Sequence, residues 1–341
     1  MRAFGKWMSV IGLVVGGFTG AAIAQPGVES ETFHVQSTDP SIRIHVRNKR
    51  PANVAKFDEN RIVIFVHGAT YPSESAFDIA LPGGSWLDYV AQRGFDAYFL
   101  DVRGYGRSTR PASMDEPPDR NPPFARTADA VADVGAVVDF VRKRRGVERV
   151  NLVGWSWGTT IMAGYTAQNN DKVKRLTLYA PLWIIKDAPP IKGFGSYRTV
   201  TKDPARSRGA NGIPKERVEE ISPAAWFEQW WAANLATDPA GAARTPAVLR
   251  APNGVIQDIA EFWAKGKSTY DPAQIRVPTL VILAEWDRDT PPYMAQEVFS
   301  RLVNASYRRH VVLREGTHAI VLEKNRMQLI AEIQNFLEGS Y

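Results

Sequence analysis

The chain has 341 residues, a formal net charge of +6 at pH 7, 44% hydrophobic residues and 23% charged residues. This composition is that of an ordinary globular protein, and it excludes a disordered, collagen-like or multi-span membrane protein. Cysteine is absent, so disulfides, thiolate metal sites and a cysteine nucleophile are excluded as well. The length fits one large domain with an insertion, or two domains.

The N-terminus has the pattern of a secretory signal peptide. Arg2 and Lys6 precede an uncharged, mostly apolar run over residues 8–22, and Ala22 and Ala24 form an A-x-A cleavage site before Gln25. The alternative is a retained membrane anchor, but the run is short for a span of about 20 residues. We therefore predict a signal peptide over residues 1–24, cleaved after Ala24, and a periplasmic or secreted mature protein without a stable membrane span.

Strand and helix patterns alternate along most of the chain. Apolar runs predict strands over residues 61–66, 97–101, 150–154, 176–179, 279–283 and 310–313, and residues 42–46 alternate like a half-buried strand. Helical patterns cover residues 86–93, 127–145, 159–167 and 324–337. In the second of these helices, Thr127 is the predicted N-cap and Gly146 follows the last turn. The alternation predicts an α/β fold with a mostly parallel central sheet flanked by helices.

Two segments interrupt the alternation. Residues 107–126 contain five prolines, which predicts an irregular loop. Residues 184–276 separate the fourth and fifth long strands and are far longer than one crossover helix, so we predict a mostly helical cap there. The predicted organisation is a signal peptide (1–24), a first part of the core (25–183), the cap (184–276) and a second part of the core (277–341).

The strongest basic block covers residues 142–145 and ends a predicted helix. Cations at that position complement the helix dipole. A nucleic-acid patch is the alternative interpretation, and we predict no nucleic-acid partner.

Residues 154–158 read Gly-Trp-Ser-Trp-Gly, between a predicted strand and a predicted helix. This is the context of a nucleophile elbow, a sharp turn that exposes a serine hydroxyl in strained geometry. The string alone occurs often by chance, and an ordinary glycine turn is the alternative. Its placement between strand and helix favours Ser156 as a nucleophile.

A serine hydroxyl needs a base, and the base needs an acid that orients it. Of the five histidines, His318 lies in a loop after the last strand, at the same sheet edge as Ser156. A surface-loop histidine is the alternative. Asp287 and Asp289 follow the fifth strand at this edge, and both qualify as the acid. The order of serine, acid and histidine is that of a known hydrolase arrangement.

The negative charge that develops on a substrate oxygen needs N–H donors held in place. Trp157, directly after the nucleophile, offers one at a helix N-terminus. His67 and Gly68 end the first long strand, and the Ala69 N–H is the predicted second donor. The alternative for this segment is a simple turn.

Taken together, these motifs resemble those of the α/β-hydrolase superfamily, over about residues 60–338. The matching parts are His67-Gly68, residues 101–108, residues 154–158, residues 284–291 and Gly316-Thr317-His318. The resemblance favours Asp287 over Asp289 as the acid, although Ala284 stands where many members have glycine. It implies an α/β-hydrolase fold with a helical cap inserted in the second half, similar to lid-bearing esterases and proline iminopeptidase-type enzymes.

Tryptophan accounts for 10 residues, and several lie near the predicted site or in the cap. Trp155, Trp286 and Trp230 are candidate substrate-binding residues in an aromatic pocket for an acyl or aryl group. The alternative is that Trp230 and its neighbours in the cap only pack the cap onto the core.

The expected function is a serine hydrolase that cleaves small carboxylic esters, or esters with an aromatic or acyl group, through an acyl-enzyme, with no metal and no cofactor. One alternative is an amide or peptide hydrolase such as an aminopeptidase, in which Glu219 and Glu220 would hold the substrate amine. Another is a non-catalytic binding protein on a hydrolase scaffold.

Overall fold

The structure is a computed structural model that describes Met1 and residues 27–188, 191 and 194–339. The predicted signal peptide, apart from Met1, lies outside the described residues. Among the described helices, none combines the length and the apolar character needed to cross a membrane.

Eight strands form the central sheet: β1 (Val28–Gln36), β2 (Arg43–Pro51), β3 (Ile62–Val66), β4 (Asp96–Leu100), β5 (Val150–Trp155), β6 (Val173–Tyr179), β9 (Thr279–Ala284) and β10 (Arg308–Leu313). Their order in the sheet is β1-β2-β4-β3-β5-β6-β9-β10. β1 pairs antiparallel with β2, β2 pairs antiparallel with β4, and all later neighbours are parallel. The predicted α/β fold with a mostly parallel sheet is confirmed.

The hairpin of β1 and β2 is longer than the sequence predicts. Only residues 42–46 have a clear alternating pattern, whereas β2 extends to Pro51 and β1 forms a complete edge strand. β1 is mostly exposed, so its apolar residues are too few to mark it as a strand. His34 and His45 are opposite each other in this hairpin and lie within the sheet.

Alternate residues of the central strands face two separate hydrophobic layers. In β3, Ile62, Ile64 and Val66 belong to one buried cluster, while Val63 and Phe65 belong to the other. Successive side chains of a strand point to opposite faces, so both faces of the sheet are covered. This explains why the central strands are continuously apolar rather than alternating.

Helices cover both layers. In the core they are α1 (Ser73–Phe77), α2 (Trp86–Gln92), α3 (Thr127–Arg145), α4 (Trp157–Gln168), α10 (Pro292–Arg301) and α11 (Met327–Leu337). The predicted N-cap of α3 is wrong by one residue: Arg126 is the N-cap and Thr127 is the first helical residue. The Asp129 carboxylate accepts a hydrogen bond from the Arg126 N–H, and the Thr127 hydroxyl accepts one from the Trp157 indole instead of capping.

The cap segment, residues 184–276, contains helices and a small sheet. Its helices are α5 (Lys202–Gly209), α6 (Val218–Ile221), α7 (Ala224–Ala236), α8 (Pro239–Ala242) and α9 (Gly254–Glu261). β7 (Tyr197–Val200) and β8 (Leu249–Pro252) form an antiparallel pair that the sequence does not predict. Four-residue strands carry too little alternation to be recognised.

The basic block at the end of α3 is engaged within the protein. Arg142 pairs with Asp139 and Glu148, Arg144 pairs with Glu31, and Arg145 pairs with Asp96. The three arginines of the block therefore form ion pairs within the protein.

Candidate active site

Ser156 occupies a strained turn between β5 and α4. Its backbone angles are φ 58° and ψ −120°, a region that residues other than glycine rarely adopt. The two glycines of the motif permit the close crossing of strand and helix. A Cβ on Gly154 would lie 2.3 Å from the Gly158 carbonyl oxygen, and one on Gly158 would lie 2.6 Å from the His67 carbonyl oxygen.

The two loops after β9 and β10 bring a carboxylate and an imidazole into contact. His318 Nδ1 lies 2.8 Å from Asp287 Oδ2, and the Asp287 side chain is fully buried. The other Asp287 oxygen accepts hydrogen bonds from the backbone N–H groups of Asp289 (2.9 Å) and Thr290 (2.8 Å). The carboxylate is thus held in one orientation, with its second oxygen directed at the ring.

Asp289, the second candidate acid, faces elsewhere. Its carboxylate accepts a hydrogen bond of 2.7 Å from Arg208 Nε, at the end of α5 in the cap. Of the two aspartates, Asp287 is therefore the one that contacts His318.

Thr290 is a member of this cluster that sequence reasoning missed. Its Oγ1 lies 2.8 Å from Asp287 Oδ2, 3.2 Å from His318 Nδ1 and 3.1 Å from the carbonyl oxygen of Ala180. The hydroxyl has one proton to donate, so the carboxylate and the carbonyl compete for it. A threonine three residues after Asp287 has no sequence pattern that would mark it as a member of this cluster.

The loop that carries His318 is fixed by the neighbouring strands. The His318 carbonyl oxygen accepts hydrogen bonds from the Trp155 indole (3.1 Å) and the Tyr179 hydroxyl (2.7 Å). Ser156 and His318 line the same cavity, and no hydrogen bond joins their side chains in the described structure. In enzymes without substrate this bond is often long and shortens only in the complex.

The segment after β3 lies against Ser156. A Cβ on Gly68 would be 3.0 Å from the Ser156 Cβ, and Ala69 lines the cavity. Burial lowers the pKa of His67, so its ring is neutral. The ring donates from Nδ1 to the Gly68 carbonyl (2.7 Å) and accepts from the Val102 N–H (3.0 Å), which fixes the start of this segment.

Arg198 in cap strand β7 holds the same segment and was also missed from the sequence. Its guanidinium donates to the Ala69 carbonyl oxygen and to Thr70 Oγ1 at 3.0 Å. The Tyr105 hydroxyl donates to the same Ala69 oxygen at 2.8 Å. A single arginine in a long cap has no sequence pattern that would reveal this contact.

Aromatic side chains of α7 form one wall of the cavity. Trp226, Phe227 and Trp230 line it, and the Tyr71 ring packs edge-on against Trp230 at 4.5 Å between centroids. Trp155 lines the cavity as well. The predicted substrate-binding residues Trp155 and Trp230 therefore both face this space.

Trp286, the third predicted substrate-binding residue, is not among the described residues that line the cavity. The guanidinium carbon of Arg217 lies 5.8 Å from the centroid of the Trp286 indole ring. The Trp286 backbone N–H donates to the Gly316 carbonyl oxygen at 3.0 Å. The tight turn that points Asp287 toward His318 directs the preceding side chain away.

Glu323 is a further cavity-lining carboxyl that the sequence did not suggest. It is 1% exposed and accepts hydrogen bonds from the backbone N–H and the hydroxyl of Thr317. Burial, reinforced by the charge of Asp287 and opposed by Thr317, raises the pKa of Glu323 to about 7. Glu219 and Glu220, the carboxylates considered for amine binding, are exposed and absent from the described lining.

Within the described part of the chain, no three histidine, aspartate or glutamate side chains are grouped so that they could hold a metal ion. The polar groups of the cavity include the Ser156 hydroxyl on its strained turn and the His318 imidazole, which contacts the Asp287 carboxylate.

The chain matches the family described as "alpha/beta hydrolase fold" over residues 61–325. Gastric triacylglycerol lipase of Mus musculus is 29% identical over 171 residues, which are 47% of this chain and 41% of the lipase. The chain spans about two fifths of the length of the curated relatives that it matches.

Two solved structures illustrate the shared fold. A hydrolase from Pseudomonas aeruginosa PA01 has a TM-score of 0.61 at 16% identity, covering 90% of this chain and 98% of that one. A thermophilic esterase from Thermogutta terrifontis has a TM-score of 0.58 at 16% identity, covering 91% of this chain and 98% of that one. At such identity the likeness concerns the fold alone.

Replacement of Gly158 by alanine tests the close crossing at Ser156. We expect Gly158→Ala to lower the free energy of unfolding by about 1–3 kcal/mol, measured by urea denaturation, because backbone oxygens of His67 and Val66 leave no room for a Cβ. Gly164→Ala, in the same helix, is the matched control. Its Cβ would meet Val131 Cγ2 at 3.4 Å, so it should be neutral or slightly stabilising. Equal denaturation midpoints for the two variants would contradict this account.

Proposed function

The chain belongs to the α/β-hydrolase fold family, and on this premise we propose that it is a serine hydrolase that cleaves carboxylic esters. One observation carries the proposal. The buried Asp287 carboxylate contacts the His318 ring at 2.8 Å, and that ring lines the same cavity as Ser156, whose backbone is strained. These are the three groups that an activated serine nucleophile requires.

The proposed reaction has two halves. Ser156 Oγ attacks the ester carbonyl carbon while His318 Nε2 takes the hydroxyl proton, and Asp287 stabilises the resulting imidazolium. The tetrahedral intermediate collapses as His318 returns that proton to the departing alcohol, which leaves an acyl group on Ser156. A water molecule then attacks the acyl carbon while His318 accepts its proton, and the second intermediate collapses as His318 returns this proton to Ser156 Oγ and the carboxylic acid departs.

The N–H groups of Ala69 and Trp157 are proposed to hold the negative oxygen of both tetrahedral intermediates. Trp157 is the first residue of α4, where the N–H groups have no acceptor within the helix and the helix dipole favours negative charge. Ala69 lies beside Ser156 on the cavity wall, and its carbonyl is held by Tyr105 and Arg198. Donors fixed in advance need no reorganisation when the charge develops.

The cavity wall favours an ester with an apolar acyl or aryl group. Trp226, Phe227 and Trp230 present aromatic surface toward the cavity, and a ligand group placed there would leave water. The lipase names of the curated relatives agree with this class of substrate.

The amide-hydrolase alternative is less well supported. An aminopeptidase requires a carboxylate for the substrate amine, and neither Glu219 nor Glu220 lines the described cavity. The two carboxyls that do line it are already engaged, Asp289 with Arg208 and Glu323 with Thr317. The binding-protein alternative leaves the strained serine and the buried aspartate–histidine pair without a role.

We also propose that the protein is exported, because residues 1–24 have the pattern of a signal peptide. Protein recovered from the periplasm or the culture medium of a bacterial host should have the intact mass of a chain that begins at Gln25. Recovery of the full-length mass from the membrane fraction would instead support the retained anchor.

Removal of the Ser156 hydroxyl tests the nucleophile. Ser156→Ala should reduce hydrolysis of p-nitrophenyl esters to background and abolish covalent labelling by a fluorophosphonate, measured by intact mass. Ser222→Ala is the control, since Ser222 also lines the cavity but its hydroxyl accepts from Arg206. Undiminished labelling of Ser156→Ala would refute the assignment, and turnover of aminoacyl anilides but not esters would favour the amide alternative.

Two aspartate variants separate the candidate acids. Asp287→Asn should lower kcat by about 10⁴-fold, because an amide in place of this acid favours the wrong histidine tautomer. Asp289→Asn removes a charge two residues away, which pairs with Arg208, and should change kcat by less than about tenfold. A larger loss for Asp289→Asn than for Asp287→Asn would overturn the assignment of the acid.

A further inference from the structure

We propose that Glu323 is a positioning residue of the active site: its carboxyl holds the turn that carries His318 and so fixes the direction of the ring toward Asp287. The proposal rests on the proposed serine-hydrolase function. It adds a second carboxyl to the aspartate and histidine already described.

The first argument is geometric. Glu323 follows a short 3-10 turn after His318, at residues 320–322, and its buried carboxyl accepts from the N–H of Thr317 at 3.2 Å and from the Thr317 hydroxyl. The Thr317 hydroxyl oxygen in turn accepts from the Ala319 N–H at 3.1 Å. Both residues that flank His318 are therefore tied to Glu323, so the carboxyl determines where the ring leaves the backbone.

The second argument is the absence of a cation partner in the described structure. Arg326 is the nearest arginine along the chain, and its guanidinium donates to the carbonyl oxygens of Pro82 (3.0 Å) and Gly84 (2.7 Å) rather than to Glu323. Lys324 is exposed. The hydrogen bonds from Thr317 are therefore the polar contacts that hold this buried carboxyl in the described structure.

The third argument concerns the groups around Glu323. The charge of Asp287, which contacts His318, acts on Glu323, and Glu323 acts in turn on Tyr179, whose hydroxyl donates to the His318 carbonyl oxygen. The Arg208–Asp289 ion pair is on the same cavity wall but is neutral as a pair. Burial and the Asp287 charge together raise the pKa of Glu323 to about 7.

The consequence follows from the hydrogen bonds. Without an acceptor at residue 323, the N–H and the hydroxyl of Thr317 lose their buried partner, and the turn that sets the position of His318 is no longer fixed. A small displacement of the ring away from Asp287 should lower the rate of the chemical step more than substrate binding.

The experiment compares Glu323→Ala, which removes the acceptor, with Glu323→Gln, which keeps an oxygen to accept from Thr317. We expect kcat for a p-nitrophenyl ester to fall about 10–100-fold in Glu323→Ala with KM within twofold, and Glu323→Gln to restore kcat to within about threefold of the wild type. Glu315→Gln is the control: Glu315 lies in the same loop but is exposed and paired with Arg217, so its kcat should match the wild type.

A second measurement does not depend on turnover. In the ring-proton NMR spectrum at one fixed pH, the His318 signal, identified by its loss in His318→Asn, should shift in Glu323→Ala and return to the wild-type position in Glu323→Gln. If Glu323→Ala does not fold, Thr317→Val, which removes the hydroxyl contact, takes its place. If the wild type neither hydrolyses esters nor reacts with the fluorophosphonate, the proposed function fails while this signal still decides the role of Glu323. An unchanged His318 signal and an unchanged kcat in the variant that lacks the contact would overturn the proposal.

Discussion

The parallel register of β9 and β10 is the constraint on which the candidate active site depends. The two strands pair to their last residues, Ala284 opposite Leu313, so the loops that follow them start at the same level. Asp287 and His318 meet because each lies a few residues beyond that point. A slip of one residue would move one loop by about 3.3 Å, more than a hydrogen bond can tolerate.

The same edge of the sheet supplies the other groups. Ser156 follows β5 and the segment of Gly68 and Ala69 follows β3, which is the neighbour of β5 in the sheet. Residues far apart in sequence thus become neighbours without long-range pairing between loops. Tyr179 ends β6, which lies between β5 and β9 in the sheet. Its hydroxyl donates a hydrogen bond to the His318 carbonyl oxygen.

Much of this arrangement could be predicted from the sequence, because strand ends and glycine turns have local patterns. The Gly-Trp-Ser-Trp-Gly motif, the position of His318 after the last strand and the aspartates after the fifth strand are examples. The direction of Trp286 could not be predicted, since it depends on a tight turn whose geometry the residue types do not specify. Thr290, Arg198 and Glu323 were missed because their roles arise from contacts between segments far apart in sequence.

The bond from Arg198 to the Ala69 carbonyl has a consequence for the cap. Arg198 belongs to strand β7, whereas Ala69 belongs to the core, so the cap contributes to the stiffness of the segment beside the nucleophile. A motion that lifted β7 from the core to admit a bulky molecule would release that segment at the same moment. A bulky molecule could then enter only while this segment was released, and Ser156 could react with it only after the cap had returned.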